Sequence, residues 1–135
     1  MYCTNRHSCY NLEYHLVVVT KYRRHVLQGD IEQRLYAITE ALMKKYGFTL
    51  HNVMCDKDHV HILFEAPPQV CLSKAINNYK TVTSRYIRKE FNETLQKYLW
   101  KDSLWSDSYF IGSVSDKTHD IVKEYIKNQQ SANPS

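Results

Sequence analysis

Residues 12–20 (LEYHLVVVT) form a run that is apolar at nearly every position. A strand with one wet face alternates apolar and polar side chains, whereas a continuous apolar run is typical of a strand covered on both faces. The run therefore predicts a central strand that the rest of the chain must cover. With 135 residues, 43% hydrophobic and 24% charged, the chain has the size and composition of one globular domain. We expect that domain to span residues 1–135, with a disordered tail at 131–135.

The segments that follow alternate between helical and strand patterns. Asp30 is a candidate cap for a first helix, and Gly47 follows the end of its apolar stripe. Two strand patterns flank the short polar connection at 56–58, which predicts a hairpin. The predicted elements are, in order, a strand at 12–20, a helix between Asp30 and Gly47, strands at 48–55 and 59–65, a helix at 72–91, a strand at 108–114 and a helix at 117–130.

The first six of these elements give the order β-α-β-β-α-β, which is typical of a ferredoxin-like α+β fold. We expect an antiparallel sheet with helices on one face, and a C-terminal helix as an addition to that pattern. The chain has only three glycines, so it contains no phosphate-binding loop and no dinucleotide fingerprint. The sequence therefore gives no sign of ATP use.

Charge and cysteine content bound the environment of the protein. The formal charge of +4, from 18 Lys+Arg against 14 Asp+Glu, permits a nucleic-acid partner without requiring one. No apolar run is long enough to span a membrane, and the N-terminus lacks the apolar stretch of an export signal. We therefore expect a cytoplasmic location with reduced thiols. A zinc site of Cys55, His59, His61 and Cys71 can be drawn, but its spacing fits no common zinc pattern.

Two histidines interrupt the predicted strand at 59–65, in the segment DKDHVHILFE. Alternate side chains of a strand share a face, so His59 and His61 point the same way, about 7 Å apart along the strand. Two neutral imidazoles at that spacing can chelate one divalent metal ion. The alternative is that both are polar surface positions on a hairpin.

The last predicted helix places Tyr125 and Gln129 four residues apart, and therefore on one face. A glutamine carbonyl is a hard neutral donor that suits magnesium or manganese. With two neutral imidazoles it would leave the metal charge uncancelled, as an anionic phosphodiester substrate requires. Tyr125 would be placed to attack the phosphorus. Alternatively Tyr125 is a core residue, because it shares a stripe with Ile121 and Val122, and Gln129 is a solvated surface residue.

Together these residues carry a resemblance. His59-Val60-His61 is a histidine–hydrophobic–histidine (HUH) motif. The segment KYRRHVL follows the first strand, and YIKNQ lies in the last helix. With these three segments, the chain resembles the single-tyrosine HUH transposases of the insertion-sequence 200/605 group. The resemblance runs from about residue 13 to 130. It implies that His59, His61 and Gln129 hold one Mg²⁺ or Mn²⁺ ion and that Tyr125 is the nucleophile.

The resemblance also implies an activity and partners. Such an enzyme cleaves single-stranded DNA at the ends of an insertion sequence, forms a 5′-phosphotyrosine link and rejoins the strand without ATP. The family recognises DNA hairpins and forms homodimers in which the tyrosine helix of one subunit completes the histidine site of the other. The connector at 113–117 is where that exchange would pivot. Alternatives are a domesticated relative that processes repetitive palindromes, and a non-catalytic DNA-binding regulator.

Other tyrosines and basic residues complete the predictions. Tyr22, Tyr79, Tyr86 and Tyr109 are nucleophiles in principle, but Tyr79 and Tyr86 fit the apolar stripe of the second helix. Phosphate contacts are expected from lysines and arginines, which fix the position of DNA rather than read its sequence. The candidates are Lys21, Arg23 and Arg24 in the basic loop at residues 21–29 and Lys74, Arg85 and Arg88 on the second helix.

Overall fold

One four-stranded antiparallel sheet lies at the centre of the protein. The computed structural model describes residues 3–4, 9–10, 12–97, 103–114 and 118–129. The short strands β1 (Cys3–Thr4) and β2 (Cys9–Tyr10) pair with each other. The sheet consists of β3 (Glu13–Val19), β4 (Thr49–Cys55), β5 (His59–Glu65) and β6 (Phe110–Ser113), in the order β4-β5-β3-β6. β3 is therefore central, as the continuous apolar run predicts.

Two helices cover one face of this sheet. They are α1 (Asp30–Tyr46) and α2 (Leu72–Glu90), which contact each other. On the covered face, alternate residues of β3 and β5 join apolar residues of both helices in the main core. Tyr79 is fully buried there and shares a 2.7 Å hydrogen bond with the hydroxyl of Thr39. This packing holds β3 and β5 as a rigid platform for the side chains on the opposite face.

A further helix, α4 (Thr118–Asn128), contacts β3 and β6 on the opposite face. Val122 of this helix is buried with Val17 and Val19 of β3, while Leu16 and Val18 belong to the main core. Both faces of β3 are thus covered at these positions, because successive side chains of a strand point to opposite sides. The prediction of a strand buried on both faces is confirmed for residues 16–20, whereas residues 12–15 are half-buried.

The predicted order of helices and strands is confirmed, and its strand order is that of a ferredoxin-like fold. The boundaries differ mainly at the ends, where α1 begins at Asp30 itself and Gly29 precedes it as the cap residue. A 3-10 turn at Lys21–Arg23 and a short helix α3 (Asn92–Gln96) are additional. Tyr86 is 41% exposed, so its assignment to the buried stripe was wrong; Ile87 is buried instead.

Some predictions fall on other parts of the chain. Residues 115–117 of the proposed pivot and residues 131–135 of the proposed tail lie outside the described residues. Within the described ranges, every helix is too short or too polar to cross a membrane.

Candidate active site

The two histidines of the HUH motif lie on the face of the sheet that α4 covers. In the register of β3 and β5, His61 is opposite Val17 and His59 is opposite Val19. Both valines belong to the apolar cluster beneath α4, whereas Val60 and Ile62 lie in the main core. The predicted shared face is therefore present, and both imidazoles are half-buried on it.

His59 is held by a carboxylate at the turn of the hairpin. Its Nδ1 lies 2.8 Å from Oδ1 of Asp58, and Oδ2 of the same carboxylate accepts a 2.9 Å bond from Nε of Arg23. Asp58 is only 5% exposed. Burial by itself would raise the pKa of Asp58, but the hydrogen bonds from His59 and Arg23 outweigh it and the net pKa lies below its usual value. The carboxylate is therefore a buried, ionised acceptor.

This bond has a consequence for the His59 ring. An ionised carboxylate can only accept, so Nδ1 of His59 carries the proton and donates it. In a neutral imidazole the other nitrogen, Nε2, then carries the lone pair that a metal needs. Metal-binding histidines commonly donate their second N–H to a carboxylate in this way, which fixes the ring orientation and strengthens the ligand.

Arg23 reaches Asp58 from an unusual backbone conformation. Tyr22 and Arg23 have φ values of 56° and 54°, in the left-handed region that the backbone of residues other than glycine rarely adopts. Nη1 of Arg23 also donates a 3.3 Å bond to the backbone carbonyl of Gln129. One guanidinium thus joins the basic loop, the hairpin turn and the end of α4.

His61 has a different partner. Its Nε2 lies 2.6 Å from Nδ1 of His15, and the two ring centroids are 4.8 Å apart. His15 lies on β3, directly opposite Leu63, and is therefore diagonal to His61 on the same face. His15 thus adds an imidazole beside the pair that the sequence analysis predicted on this face.

Tyr125 lies on α4 above the neighbouring part of the same face. It is half-buried against the small apolar cluster, and its ring centroid is 5.6 Å from that of Phe110. Its hydroxyl shares a 3.1 Å bond with Oγ of the exposed Ser108, so the phenol oxygen is not enclosed in the interior. Phe110 is opposite Val17, which is opposite His61, so the backbones of Phe110 and His61 are two strand spacings, about 10 Å, apart.

Gln129 follows directly after α4. Its backbone N–H donates a 3.2 Å bond to the carbonyl of Tyr125, which continues the helical path by one residue. It borders a cleft of about 430 Å³ between the basic loop, the segment before β6 and the end of α4. The residues that line this cleft are Val19, Thr20, Lys21, Tyr22, Arg23, Ser106, Asp107, Ser108, Asn128 and Gln129.

One further set of potential metal ligands is assembled among the described residues. Glu13, His51 and Glu65 place one ligand atom each within 4.8 Å of one another, at the far end of the sheet. This possible metal-binding group was not predicted, and His51 Nε2 lies 3.4 Å from both carboxylates. The zinc set drawn from the cysteines is not assembled, because Cys55 packs against the main core, on the face opposite to the two histidines.

Comparison with known proteins identifies the family. The family model described as IS200-like transposase matches residues 8–129. The chain belongs to the IS200-like transposase family. It is 32% identical over 120 residues to the ISDra2 transposase TnpA of Deinococcus radiodurans, covering 89% of this chain and 85% of that protein. It is 28% identical over 123 residues to the IS200 transposase of Salmonella typhimurium, covering 91% and 80% respectively.

Solved structures agree with this assignment. The crystal structure of a candidate transposase from Deinococcus radiodurans R1 matches this chain with a TM-score of 0.88 at 32% identity, covering 96% of this chain and 99% of that one. A REP-associated tyrosine transposase bound to a REP hairpin matches with a TM-score of 0.52 at 16% identity, covering 96% and 68%. The second likeness concerns the fold alone.

The basic residues predicted to contact DNA are distributed over two regions of this IS200-like transposase. Lys21 borders the cleft and lies 3.9 Å from the carboxylate of Asp107. Lys74 and Arg85 are exposed on α2, while Arg24 and Arg88 are half-buried. Arg23 borders the cleft, and its guanidinium is also bonded to the Asp58 carboxylate that holds His59. Their contacts with DNA stay predictions.

Asp58 and His15 are the residues of the site that sequence reasoning missed. By sequence alone, Asp58 is one residue of a polar turn and His15 is one position of an apolar strand. The same two-residue periodicity that placed His59 and His61 on one face also applies to β3, but the register that brings His15 beside His61 joins segments 46 residues apart.

Proposed function

We propose that this transposase cleaves and rejoins single-stranded DNA at insertion-sequence ends, in a metal-dependent reaction through a 5′-phosphotyrosine at Tyr125. His59, His61 and Gln129 would hold the Mg²⁺ or Mn²⁺ ion. The observation that carries the proposal is that Tyr125 and both histidines lie on one face of the sheet, with His59 oriented by a buried carboxylate.

The residues present fit a divalent cation. The bond to Asp58 leaves Nε2 of His59 with the lone pair, which is the ligand form of imidazole. Neutral nitrogen donors with one amide oxygen would leave the charge of the cation available to a phosphodiester. Once bound, the ion would polarise the phosphate and stabilise the charge that develops in the transition state.

The chemistry of Tyr125 is an exchange of phosphoesters. The phenol of Tyr125 loses its proton to solvent, and the phenol oxygen forms a bond to phosphorus while the bond from phosphorus to the 3′ oxygen breaks. The departing 3′ oxygen takes up a proton and becomes a hydroxyl. A 3′-hydroxyl can later attack the phosphotyrosine and release the tyrosine, so rejoining needs no ATP.

The cleft beside Tyr125 is the proposed path of the DNA strand. It is bordered by Lys21 and Arg23 and by Ser108, whose hydroxyl bonds to the Tyr125 phenol. Cationic side chains there would neutralise phosphates, while Lys74, Arg85 and Arg88 would contact DNA further along α2. A REP hairpin bound to a protein of the same fold is consistent with a hairpin as the recognised form. The chain would act as one domain over residues 1–135, in the cytoplasm.

Homodimers with shared sites are part of the proposal. In this structure α4 lies on its own sheet, with about 10 Å between the backbones at Phe110 and His61. In the proposed homodimer, α4 would instead dock on the sheet of the partner subunit and deliver Tyr125 to the histidine site there.

The proposal is tested with labelled single-stranded DNA that carries the hairpin of an insertion-sequence end. Incubation with Mg²⁺ or Mn²⁺ should give a covalent protein–DNA adduct, and EDTA should abolish it. Tyr125→Phe should give no adduct, while Tyr86→Phe, which removes an exposed hydroxyl on α2, should retain it. His61→Ala should keep DNA binding but lose cleavage. Tight DNA binding without an adduct in any metal would contradict the proposal and favour a non-catalytic regulator.

A further inference from the structure

His15 makes a close side-chain contact to the HUH motif, and neither the motif nor the family match assigns it a role. Its Nδ1 lies 2.6 Å from Nε2 of His61. At that separation one ring donates to the other, and His61 must be the donor if its Nδ1 is to keep the lone pair that a metal needs. His15 therefore restrains the rotation of the His61 ring about its side-chain bonds.

The two histidines of the motif thus have comparable supports. One nitrogen of His59 is bonded to Asp58, at 2.8 Å, and one nitrogen of His61 is bonded to His15, at 2.6 Å. Asp58 is 5% exposed and is fixed by Arg23. His15 is fixed by its strand, since β3 pairs on one side with β5 and on the other with β6. Each support is therefore built on a part of the fold that has little freedom.

We propose that His15 is a positioning residue for the metal, which holds His61 in its ligand orientation as Asp58 holds His59. This inference rests on the proposed function, because it takes His59 and His61 as the ligands. Partners of ligating histidines fix the ring orientation, and their loss typically lowers metal affinity by about 10- to 100-fold. A histidine suits this position because a diagonal neighbour on a sheet needs a long, stiff side chain to reach across.

The test measures metal binding without DNA, so it does not depend on cleavage. Mn²⁺ and Co²⁺ would be titrated into the purified protein by calorimetry, with the visible absorption of Co²⁺ recorded in parallel. His15→Phe, which keeps a ring but has no hydrogen-bonding nitrogen, should lower the affinity about 10- to 100-fold. His15→Gln, which can still hydrogen-bond to His61, should recover part of that loss. Thermal melts of the metal-free variants would show that both are folded.

His25→Gln is the matched control, because His25 is exposed in the basic loop. It should bind Mn²⁺ and Co²⁺ as the wild type does. The Co²⁺ spectrum of saturated His15→Gln should keep the band shape of the wild type, because a positioning residue is not itself a ligand.

Three results would overturn the inference. Unchanged metal affinity in His15→Phe would show that the contact is only packing. Increased affinity would show that His15 competes with the metal for His61. A changed Co²⁺ band shape in His15→Gln would make His15 a direct ligand rather than a positioning residue. If instead His61→Gln binds metal as tightly as the wild type, the assignment of the motif as the metal site fails, and that result is distinct from a failure at His15.

Discussion

Replacing Asp58 by asparagine tests the buried carboxylate that organises the site. Asparagine has the same shape but offers one acceptor oxygen in place of two. Its NH₂ group, a donor, would face an N–H donor of either His59 or Arg23. The wild-type carboxylate accepts bonds of 2.8 Å and 2.9 Å from these residues. The variant therefore loses at least one charge-assisted bond at a position that is 5% exposed.

The size of the effect follows from that loss. A hydrogen bond to a charged group contributes about 1.5–3 kcal/mol to stability. The side chain of Arg23 is 26% exposed, so water replaces part of its lost bond, and the lower half of that range is expected. For a chain of this length the corresponding fall in melting temperature is roughly 4–8 °C. Urea unfolding and calorimetry in EDTA, at neutral pH, would measure both quantities on the metal-free protein.

The pH dependence gives the same prediction a second readout. The pKa of Asp58 in the folded protein lies below its usual value, which is about 3.9 in an unfolded chain. The carboxylate therefore contributes stability that is present above about pH 4 and is lost as the pH falls through the folded pKa. The difference in unfolding free energy between wild type and Asp58→Asn should be full at pH 7 and should shrink below about pH 4.

Asp107→Asn is the matched control for this experiment. The Asp107 side chain is 96% exposed and lies 3.9 Å from Nζ of Lys21, and exposed ion pairs of this kind contribute little. Its unfolding midpoint should equal that of the wild type. Equal stability of Asp58→Asn and the wild type at pH 7, or a difference that persists unchanged in acid, would refute the account of Asp58 as a buried, ionised acceptor.

Two further predictions concern residues outside the site. Burial raises the pKa of the Cys55 thiol to about 12, whereas a hydrogen bond with Ser73 lowers the pKa of the exposed Cys71. Iodoacetamide at pH 7.5 should therefore alkylate Cys71 much faster than Cys55. Peptide mass mapping would measure the two rates, and equal rates would contradict this prediction. Tyr79→Phe removes a buried 2.7 Å hydrogen bond and leaves the Thr39 hydroxyl without that partner. The free energy of unfolding, measured by urea titration, should therefore fall by about 1–3 kcal/mol. An unchanged value would show that Thr39 finds another partner.

The parts of the fold that were predictable from sequence are those with local signals. Hydrophobic periodicity placed the helices and strands, and the two-residue repeat of a strand placed His59 and His61 on one face. Tyr86 shows the limit of this reasoning, because it has helical spacing with Tyr79 yet is 41% exposed beside Arg34 and Arg85. Whether a residue at the edge of a stripe is buried depends on what packs against the helix, which the helix sequence does not contain.

The supports of the site were not predictable for a related reason. A polar turn such as 56–58 is compatible with any exposed connection, and nothing local indicates that Asp58 is buried or that Arg23 reaches it. Arg23 makes this bond from a segment in which Tyr22 and Arg23 have left-handed backbone conformations, which are uncommon for residues other than glycine. Such conformations persist where the surrounding structure fixes them, often at functional sites. The site thus depends on contacts between distant segments rather than on the motif alone.

The same contacts bear on how α4 could move. Among the side chains that the structure describes, its buried apolar contact with the sheet involves Val17, Val19 and Val122, a much smaller cluster than the main core. Elements with few buried contacts open at lower free energy than the rest of a fold. The bond from Arg23 to the Gln129 carbonyl, at 3.3 Å, is longer than its bond to Asp58, at 2.9 Å. In the proposed homodimer, release of α4 would therefore break the weaker contact and leave the support of His59 in place.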